Sequence, residues 1–136
     1  MNAPPPTLPI RTECPPGACV CDRDALLQDP QADARVLLLT REEEKRLLQR
    51  LEQITSLADL RRLQDRMEQQ LGIRLTIAPG PNEVRTLRGI TILVHEQRGL
   101  CRKTRQSIPA AIRQALERRP EISYELLDEG GLFGAP

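Results

Sequence analysis

The residues of this chain best suited to metal chemistry are its four cysteines, and three of them are clustered. Cys14, Cys19 and Cys21 lie within the segment CPPGACVC, whereas Cys101 lies far along the chain. In a cytosolic protein, clustered thiolates indicate a metal or redox site more often than structural disulfides. Gly17 permits a turn that points the sulfur atoms inward. The cysteines therefore predict a metal site completed by Cys101, with reactive thiols or inert cysteines in a disordered arm as the alternatives.

The spacing of the cysteines favours one metal centre over another. Zinc sites typically use two C-x₂₋₄-C pairs, but this chain has C-x₄-C-x-C followed by one remote cysteine. That pattern is closer to the C-x₄-C-x₂-C…C arrangement of a [2Fe–2S] ferredoxin. We therefore expect a [2Fe–2S] cluster, with zinc as the alternative. His95, the single histidine, is the alternative fourth ligand, but we favour a strand-end histidine that faces water or bonds to the backbone.

The cysteine loop resembles that of the plant-type ferredoxins, in which a glycine and a small residue precede the second cysteine as Gly17-Ala18-Cys19 do here. The resemblance covers about eight residues and implies similar local chemistry rather than the ferredoxin fold. The second gap is one residue shorter than in that family, and 79 residues separate Cys21 from Cys101.

A basic segment, RGLCRKTR, surrounds Cys101. Its cations would offset the negative charge of a thiolate-ligated centre. With the helix that we expect to start at Ser107, they could instead bind a phosphate, or they could form a solvated loop. A metal-free hypothesis makes this region a surface for nucleic acid or an acidic protein partner. Its basic residues are Arg85, Arg88, Arg98, Arg102, Lys103, Arg105 and Arg113.

Charge and composition restrict the function further. The formal net charge is +1, and we favour an acidic N-terminal segment that folds back and neutralises the basic region, because nucleic-acid-binding domains usually keep a basic excess. Tyr124 and Phe133 are the only aromatic residues, which excludes ring stacking as the main device for binding single strands. The chain has no H-E-x-x-H motif, nucleophile elbow or glycine-rich phosphate loop. A non-enzymatic role is therefore favoured.

The chain has no apolar run near the roughly 20 residues that span a bilayer. Its first ten residues, MNAPPPTLPI, lack the charged start and apolar stretch of a secretory signal. We therefore predict a cytoplasmic protein without membrane contact.

Hydrophobic periodicity predicts the helices that position these residues. Asp22 is expected to cap a short helix that ends by Asp29. A capping box at Thr40 starts a helix over residues 41–54, and a second helix after Ser56 ends at Gly72. Because so few residues separate them, these two helices should form an antiparallel hairpin. A third helix is expected to open at Ser107, and a short last helix should carry residues 122–127.

The remaining segments predict strands and the domain boundaries. Residues 35–39 could form a strand, and the alternation at 73–77, 84–88 and 90–94 predicts others. The expected fold is α+β with two layers: the helical hairpin and a C-terminal helix pack on a small, mainly antiparallel sheet. Residues 1–33 form an extended, proline-rich and acidic arm that bears cysteines and a possible short helix. Residues 34–128 form one core domain, and residues 129–136 form a flexible tail.

Overall fold

The structure is a computed structural model that describes residues 10–11, 14, 21–79 and 90–129. The predictions for most of the extended arm, for a strand at 84–88 and for residues 130–136 lie outside these residues. Within them the chain forms α1 (Arg23–Gln28), a 3₁₀ helix (Arg35–Leu38), α2 (Arg41–Glu52), α3 (Leu57–Leu71), β1 (Leu75–Pro79), β2 (Ile90–Val94), α4 (Arg102–Arg118) and α5 (Pro120–Glu129). No helix in the described ranges is long and apolar enough to cross a bilayer.

The predicted α+β class is confirmed, because helices pack against a two-stranded antiparallel sheet. In that sheet Leu75 lies opposite Val94 and Ile77 lies opposite Ile92. These four side chains are buried, while the residues between them alternate to the other face. α4 packs on β2 and α5 packs on β1. The core therefore lies between this sheet face and the helices.

The buried faces of the two C-terminal helices agree with the predicted spacing. In α4 the buried residues include Ile108, Ala111, Ile112, Ala115 and Leu116. In α5 the side chains of Ile122, Leu126 and Leu127 are buried. Both helices place residues spaced three and four apart on one face, which is the side that contacts the sheet.

The ends of α2 and α3 follow the predicted capping signals. The hydroxyl of Thr40 accepts a hydrogen bond from the backbone N–H of Glu43 at 3.3 Å, and that of Ser56 accepts one from Asp59 at 3.0 Å. Gly72 ends α3 in the left-handed conformation, with φ of 70°. Each signal lies within a few residues of the helix end that it determines.

An ion pair joins α2 and α3 at the turn between them. Arg50 in the last turn of α2 contacts Asp59 in the first turn of α3 at 2.5 Å. Farther from the turn, residues of both helices line a groove of about 520 Å³. The packing of α2 is instead most extensive on α4, where Thr104 Oγ1 donates to Glu44 Oε1 at 3.0 Å.

The strand expected at residues 35–39 is wrong, because residues 35–38 form a 3₁₀ helix. The Asp33 side chain accepts from the backbone N–H of Arg35 at 3.1 Å and so starts the turn. Val36, Leu37 and Leu39 are all buried. In a continuous apolar run every position can be buried in either conformation, so the pattern could not separate them.

Two predictions also need correction: the capping of α1 and the first residue of α4. α1 begins where expected, but Asp22 adopts a left-handed conformation and makes no side-chain capping bond. α4 begins at Arg102, so Ser107 and Pro109 lie inside the helix and Cys101 is its N-cap residue. The sequence does not indicate the first turn of α4, because the buried residue in that turn is the polar Thr104, which is 4% exposed. Apolar periodicity does not register a buried threonine.

Candidate metal centre

The structure brings together three of the four cysteines that the sequence singled out. The Sγ atoms of Cys14, Cys21 and Cys101 all lie within 4.8 Å of one another. The Cys14 sulfur is 3.3 Å from that of Cys21 and 3.6 Å from that of Cys101. Both distances exceed the disulfide length of about 2.05 Å, so these pairs are not covalently bonded. Cys19 lies outside the described residues.

The position of Cys101 at the start of α4 suits a negatively charged sulfur. Cys101 is 2% exposed and occupies the N-cap position of α4, a helix of 17 residues. The first backbone N–H groups of a helix have no acceptor within the helix, and the helix end carries a partial positive charge. The helix therefore offers electrostatic stabilisation to a thiolate at this position.

A buried arginine, Arg11, joins the N-terminal arm to the core beside the sulfur atoms. Its backbone N–H donates to the carbonyl of Leu37 at 2.7 Å. Its guanidinium donates to the carbonyl of Gly99 and lies 3.5 Å from Cys21 Sγ. The whole residue is only 8% exposed. Arg11 thus places a positive charge in contact with the cysteine group, where it compensates the charge of thiolates.

Arg11 was not predicted as a site residue, because nothing in the local sequence pattern marks it as buried. An arginine in a proline-rich arm is expected to be solvated. Its proximity to the first cysteine in the sequence was the one available signal. Its burial depends on Leu37 and Gly99, which lie 26 and 88 residues farther along the chain.

Gly99 lets the arm approach the loop before Cys101. Its φ is 84°, a conformation that side chains disfavour. A Cβ atom there would lie 2.6 Å from Leu26 Cδ2 and 2.8 Å from Val36 Cγ1. The backbone N–H of Gly99 donates to the carbonyl of Cys21. A larger residue would therefore disturb the contact that holds Cys21 beside Cys101.

The basic residues near Cys101 are mostly engaged within the molecule. Arg98 contacts Asp29 at 3.4 Å and Arg105 contacts Glu96 at 3.2 Å. Arg113 donates to the carbonyl of Ile90 at 3.3 Å. Arg102 and Lys103 are exposed at the start of α4. Arg85 and Arg88 lie outside the described residues.

The Arg98–Asp29 contact is the kind of internal neutralisation that the charge distribution favoured, since Asp29 belongs to the acidic N-terminal segment. Surface pairs of this kind contribute little to stability. Binding of nucleic acid or of an acidic protein by this face stays a prediction.

His95 lies at the end of β2 and is turned toward the other strand. Its Nε2 is 2.7 Å from the hydroxyl oxygen of Thr76, and its backbone N–H donates to the carbonyl of Arg74. The side chain is exposed. Within the described part of the chain, the group of converging ligand atoms consists of the three sulfurs and does not include this imidazole.

The arrangement as a whole is a buried group of soft ligands next to a fixed cation and a helix N-terminus. Such a group can bind a soft metal ion, because thiolates are the preferred ligands of zinc and of iron–sulfur centres. The three cysteines are therefore compatible with metal binding. No protein-family model, curated protein or solved structure matches the chain.

Proposed function

We propose that this protein binds one tetrahedral metal ion through cysteine thiolates, that the ion is zinc, and that it fastens the N-terminal arm to the core. The proposal is carried by one observation: the Sγ atoms of Cys14, Cys21 and Cys101 converge within 4.8 Å. The convergence joins residues 87 positions apart in the sequence.

The sulfur distances support one ion in preference to a cluster of two irons. With Zn–S bonds of about 2.3 Å, tetrahedral ligands lie about 3.8 Å from one another. The two measured separations of 3.3 and 3.6 Å are close to this value. In a [2Fe–2S] cluster the four cysteines divide between two irons, so at least one of any three sulfurs would lie farther from the others. The proposal therefore places zinc ahead of the [2Fe–2S] cluster that the spacing predicts.

Cys19 is the fourth ligand in this proposal. It is two positions before Cys21, and two residues of extended chain span at most about 7 Å. This covalent limit keeps its thiol within reach of an ion at Cys21. Four cysteine ligands would give the closed coordination of a structural zinc site.

The charges around the sulfurs support a thiolate-ligated ion. Four thiolates around a divalent ion carry a net charge of about −2, which is costly to bury without compensation. Arg11 supplies a buried positive charge at 3.5 Å from Cys21 Sγ, and the N-terminus of α4 supplies a partial one. Arg102 and Lys103 add exposed positive charge on the same turn.

The proposed role of the ion is structural or metal-sensing. Zinc does not change oxidation state, so a zinc centre would not carry electrons. The zinc ion would instead hold the N-terminal arm against the loop at Gly99 and against α4. The position of the arm would then depend on the supply of the metal, because binding to a site formed by folding stabilises that folded state.

The direct test is metal analysis of the full chain purified without oxygen. We expect about one zinc per chain, with loss of the metal in Cys14→Ser, Cys21→Ser and Cys101→Ser. Ser107→Ala, in the same helix as Cys101 but away from the sulfurs, is the control and should keep the metal. Cobalt substituted for zinc should give the absorption of tetrahedral thiolate coordination. Two irons per chain with a coloured protein would identify a cluster, and neither metal with freely titrating thiols would overturn the proposal.

A further inference from the structure

We infer that Cys14 and Cys21 form an oxidation site for hydroperoxides, and that the disulfide they form expels the metal and frees Cys101. The inference rests on the proposed zinc site and adds its regulation. Among the described cysteines, the Sγ atoms of these two lie 3.3 Å apart, closer than the 3.6 Å between those of Cys14 and Cys101. Both belong to the N-terminal arm, whereas Cys101 belongs to the core.

Among the three described cysteines, Cys14 has the sulfur most open to a small oxidant. Its residue is half-buried, while Cys21 and Cys101 are buried, with Cys101 only 2% exposed. A hydroperoxide is small and needs contact with one sulfur only. Susceptibility to oxidation follows exposure and thiolate character, so the first oxidation is expected at Cys14.

The second step favours Cys21 over Cys101 for two reasons. Cys21 Sγ is the nearer sulfur, at 3.3 Å against 3.6 Å from Cys14 Sγ. In addition, the Arg11 guanidinium lies 3.5 Å from Cys21 Sγ. Together with the hydrogen bond from Arg11 to the carbonyl of Gly99, this contact holds the Cys21 sulfur in place beside that of Cys14.

The chemistry requires a two-electron oxidant, which we take to be hydrogen peroxide. The Cys14 thiolate attacks one peroxide oxygen, an S–O bond forms as the O–O bond breaks, and the departing hydroxide takes a proton to become water. The Cys21 thiolate then attacks the Cys14 sulfur, an S–S bond forms as the S–O bond breaks, and a second water leaves. Two thiolates, one peroxide and two protons thus give one disulfide and two waters. The zinc leaves as a divalent ion because two of its ligands are lost.

Oxidation would replace the metal, which links the N-terminal arm to the core, with a disulfide that lies within the arm. The metal joins residues 87 positions apart, whereas the disulfide joins residues 7 positions apart. After oxidation, the described contacts that hold the arm include those of Arg11 and Gly99, the Arg98–Asp29 pair and the burial of Leu26 in the core. The arm should therefore become more accessible, and Cys101 should become available to alkylating reagents.

The test treats the metal-loaded full chain with one equivalent of hydrogen peroxide, followed by catalase and alkylation. Zinc release is followed with a chromogenic chelator. Trypsin then separates the products, because it cuts after Arg11, Arg23, Arg98 and Arg102. A Cys14–Cys21 disulfide stays inside the peptide of residues 12–23, whereas a disulfide to Cys101 would join that peptide to residues 99–102. Fragmentation of the first peptide, and the Cys19→Ser variant, show which two of its cysteines are bonded.

We expect zinc release together with an internal Cys14–Cys21 disulfide and alkylated Cys101. Arg11→Gln should slow formation of the Cys14–Cys21 disulfide about tenfold, whereas the control Arg118→Gln, exposed at the opposite end of α4 from Cys101, should leave the rate unchanged. A peptide of residues 12–23 joined to 99–102, or zinc retained after peroxide, would overturn this inference while leaving the metal site intact. Protein that never held metal would refute the proposed function instead, and disulfide mapping would still decide whether Cys14 and Cys21 are the oxidised pair.

Discussion

The turn between α2 and α3 and the cysteine centre both bring charged or ionisable groups into close contact, but over very different distances in the sequence. At the turn, Arg50 and Asp59 are nine positions apart, and the capping bond between Ser56 and Asp59 joins residues three positions apart. At the centre, Cys14 meets Cys101 across 87 positions and Arg11 meets Gly99 across 88. The contacts at the turn form between residues of the turn itself, whereas the contacts at the cysteine centre form only when the core is folded.

This difference has an energetic consequence. Closing a long loop costs more conformational entropy than closing a short one, and the described residues of the arm contribute few core side chains with which to offset that cost. A metal ion at the cysteines would supply the missing stabilisation. We therefore expect the two regions to respond to different perturbations.

Removal of the metal should have the largest effect, and it should affect the centre alone. Cys101→Ser removes a ligand, so we expect metal affinity to fall by at least about 100-fold, more than the loss of an outer-shell partner causes. Trypsin should then cut faster after Arg11 and Arg23. Hydrogen exchange in α2 and α3 should stay as in the unaltered protein, and faster exchange there would show that the two regions are not independent.

Gly99→Ala should produce the next largest effect, because the alanine needs both a disfavoured φ and space that Leu26 and Val36 occupy. We expect a loss of about 2–3 kcal/mol in the free energy of unfolding. Gly72→Ala at the end of α3 is the matched comparison. Its φ is also positive, at 70°, but the added Cβ would meet the movable side chains of Asp33, Arg35 and Gln97.

Gly72→Ala should therefore cost less, about 1 kcal/mol. Chemical denaturation of both variants measures the difference. Equal losses would contradict the view that the loop before Cys101 is the more tightly constrained of the two.

Asp59→Asn should weaken the turn without affecting the centre. The Arg50 guanidinium and the backbone N–H of Thr55 donate to Asp59 and hold the pKa of its carboxyl below the usual value of 3.8, against the opposing effect of burial. We expect a loss of about 1–2 kcal/mol at pH 7. Metal content should not change.

The same ion pair predicts a pH dependence. Because the pKa of Asp59 is lower in the folded than in the unfolded state, its stabilisation is present above the unfolded value near 3.8 and is lost as the pH falls through the folded value. The difference in unfolding free energy between the unaltered protein and Asp59→Asn should thus be constant from pH 7 to 5 and shrink below pH 4. A constant difference down to pH 2 would contradict this assignment.

Thr40→Ala should give the smallest effect. The substitution removes the hydroxyl that accepts from Glu43 N–H, and the loss of such a cap costs about 1 kcal/mol. Thr40→Ser keeps the hydroxyl and should restore most of the stability. The thermal unfolding of the two variants, compared at equal metal loading, provides the measurement.

The same difference between short-range and long-range contacts separates the elements that the sequence predicts from those that it does not. Helices α2 and α3, with Thr40, Ser56 and Gly72 at their ends, were predicted because each signal lies beside the structure that it determines. Residues 35–39 and the start of α4 were predicted wrongly, because a continuous apolar run and a buried threonine give no periodicity to follow. The contact of Arg11 with Cys21 had no local signal at all.

The sequence by itself determined the kinds of ligand and the local elements: thiols in a short segment, capped helices, and strands of alternating residues. Tertiary structure alone decided that Cys14 and Cys21 lie beside Cys101, that Arg11 is buried among them, and that His95 pairs with Thr76 instead. The physical reason is that propensity and capping act over a few residues. The distance between two sulfurs 87 positions apart depends on how every element of the core between them packs.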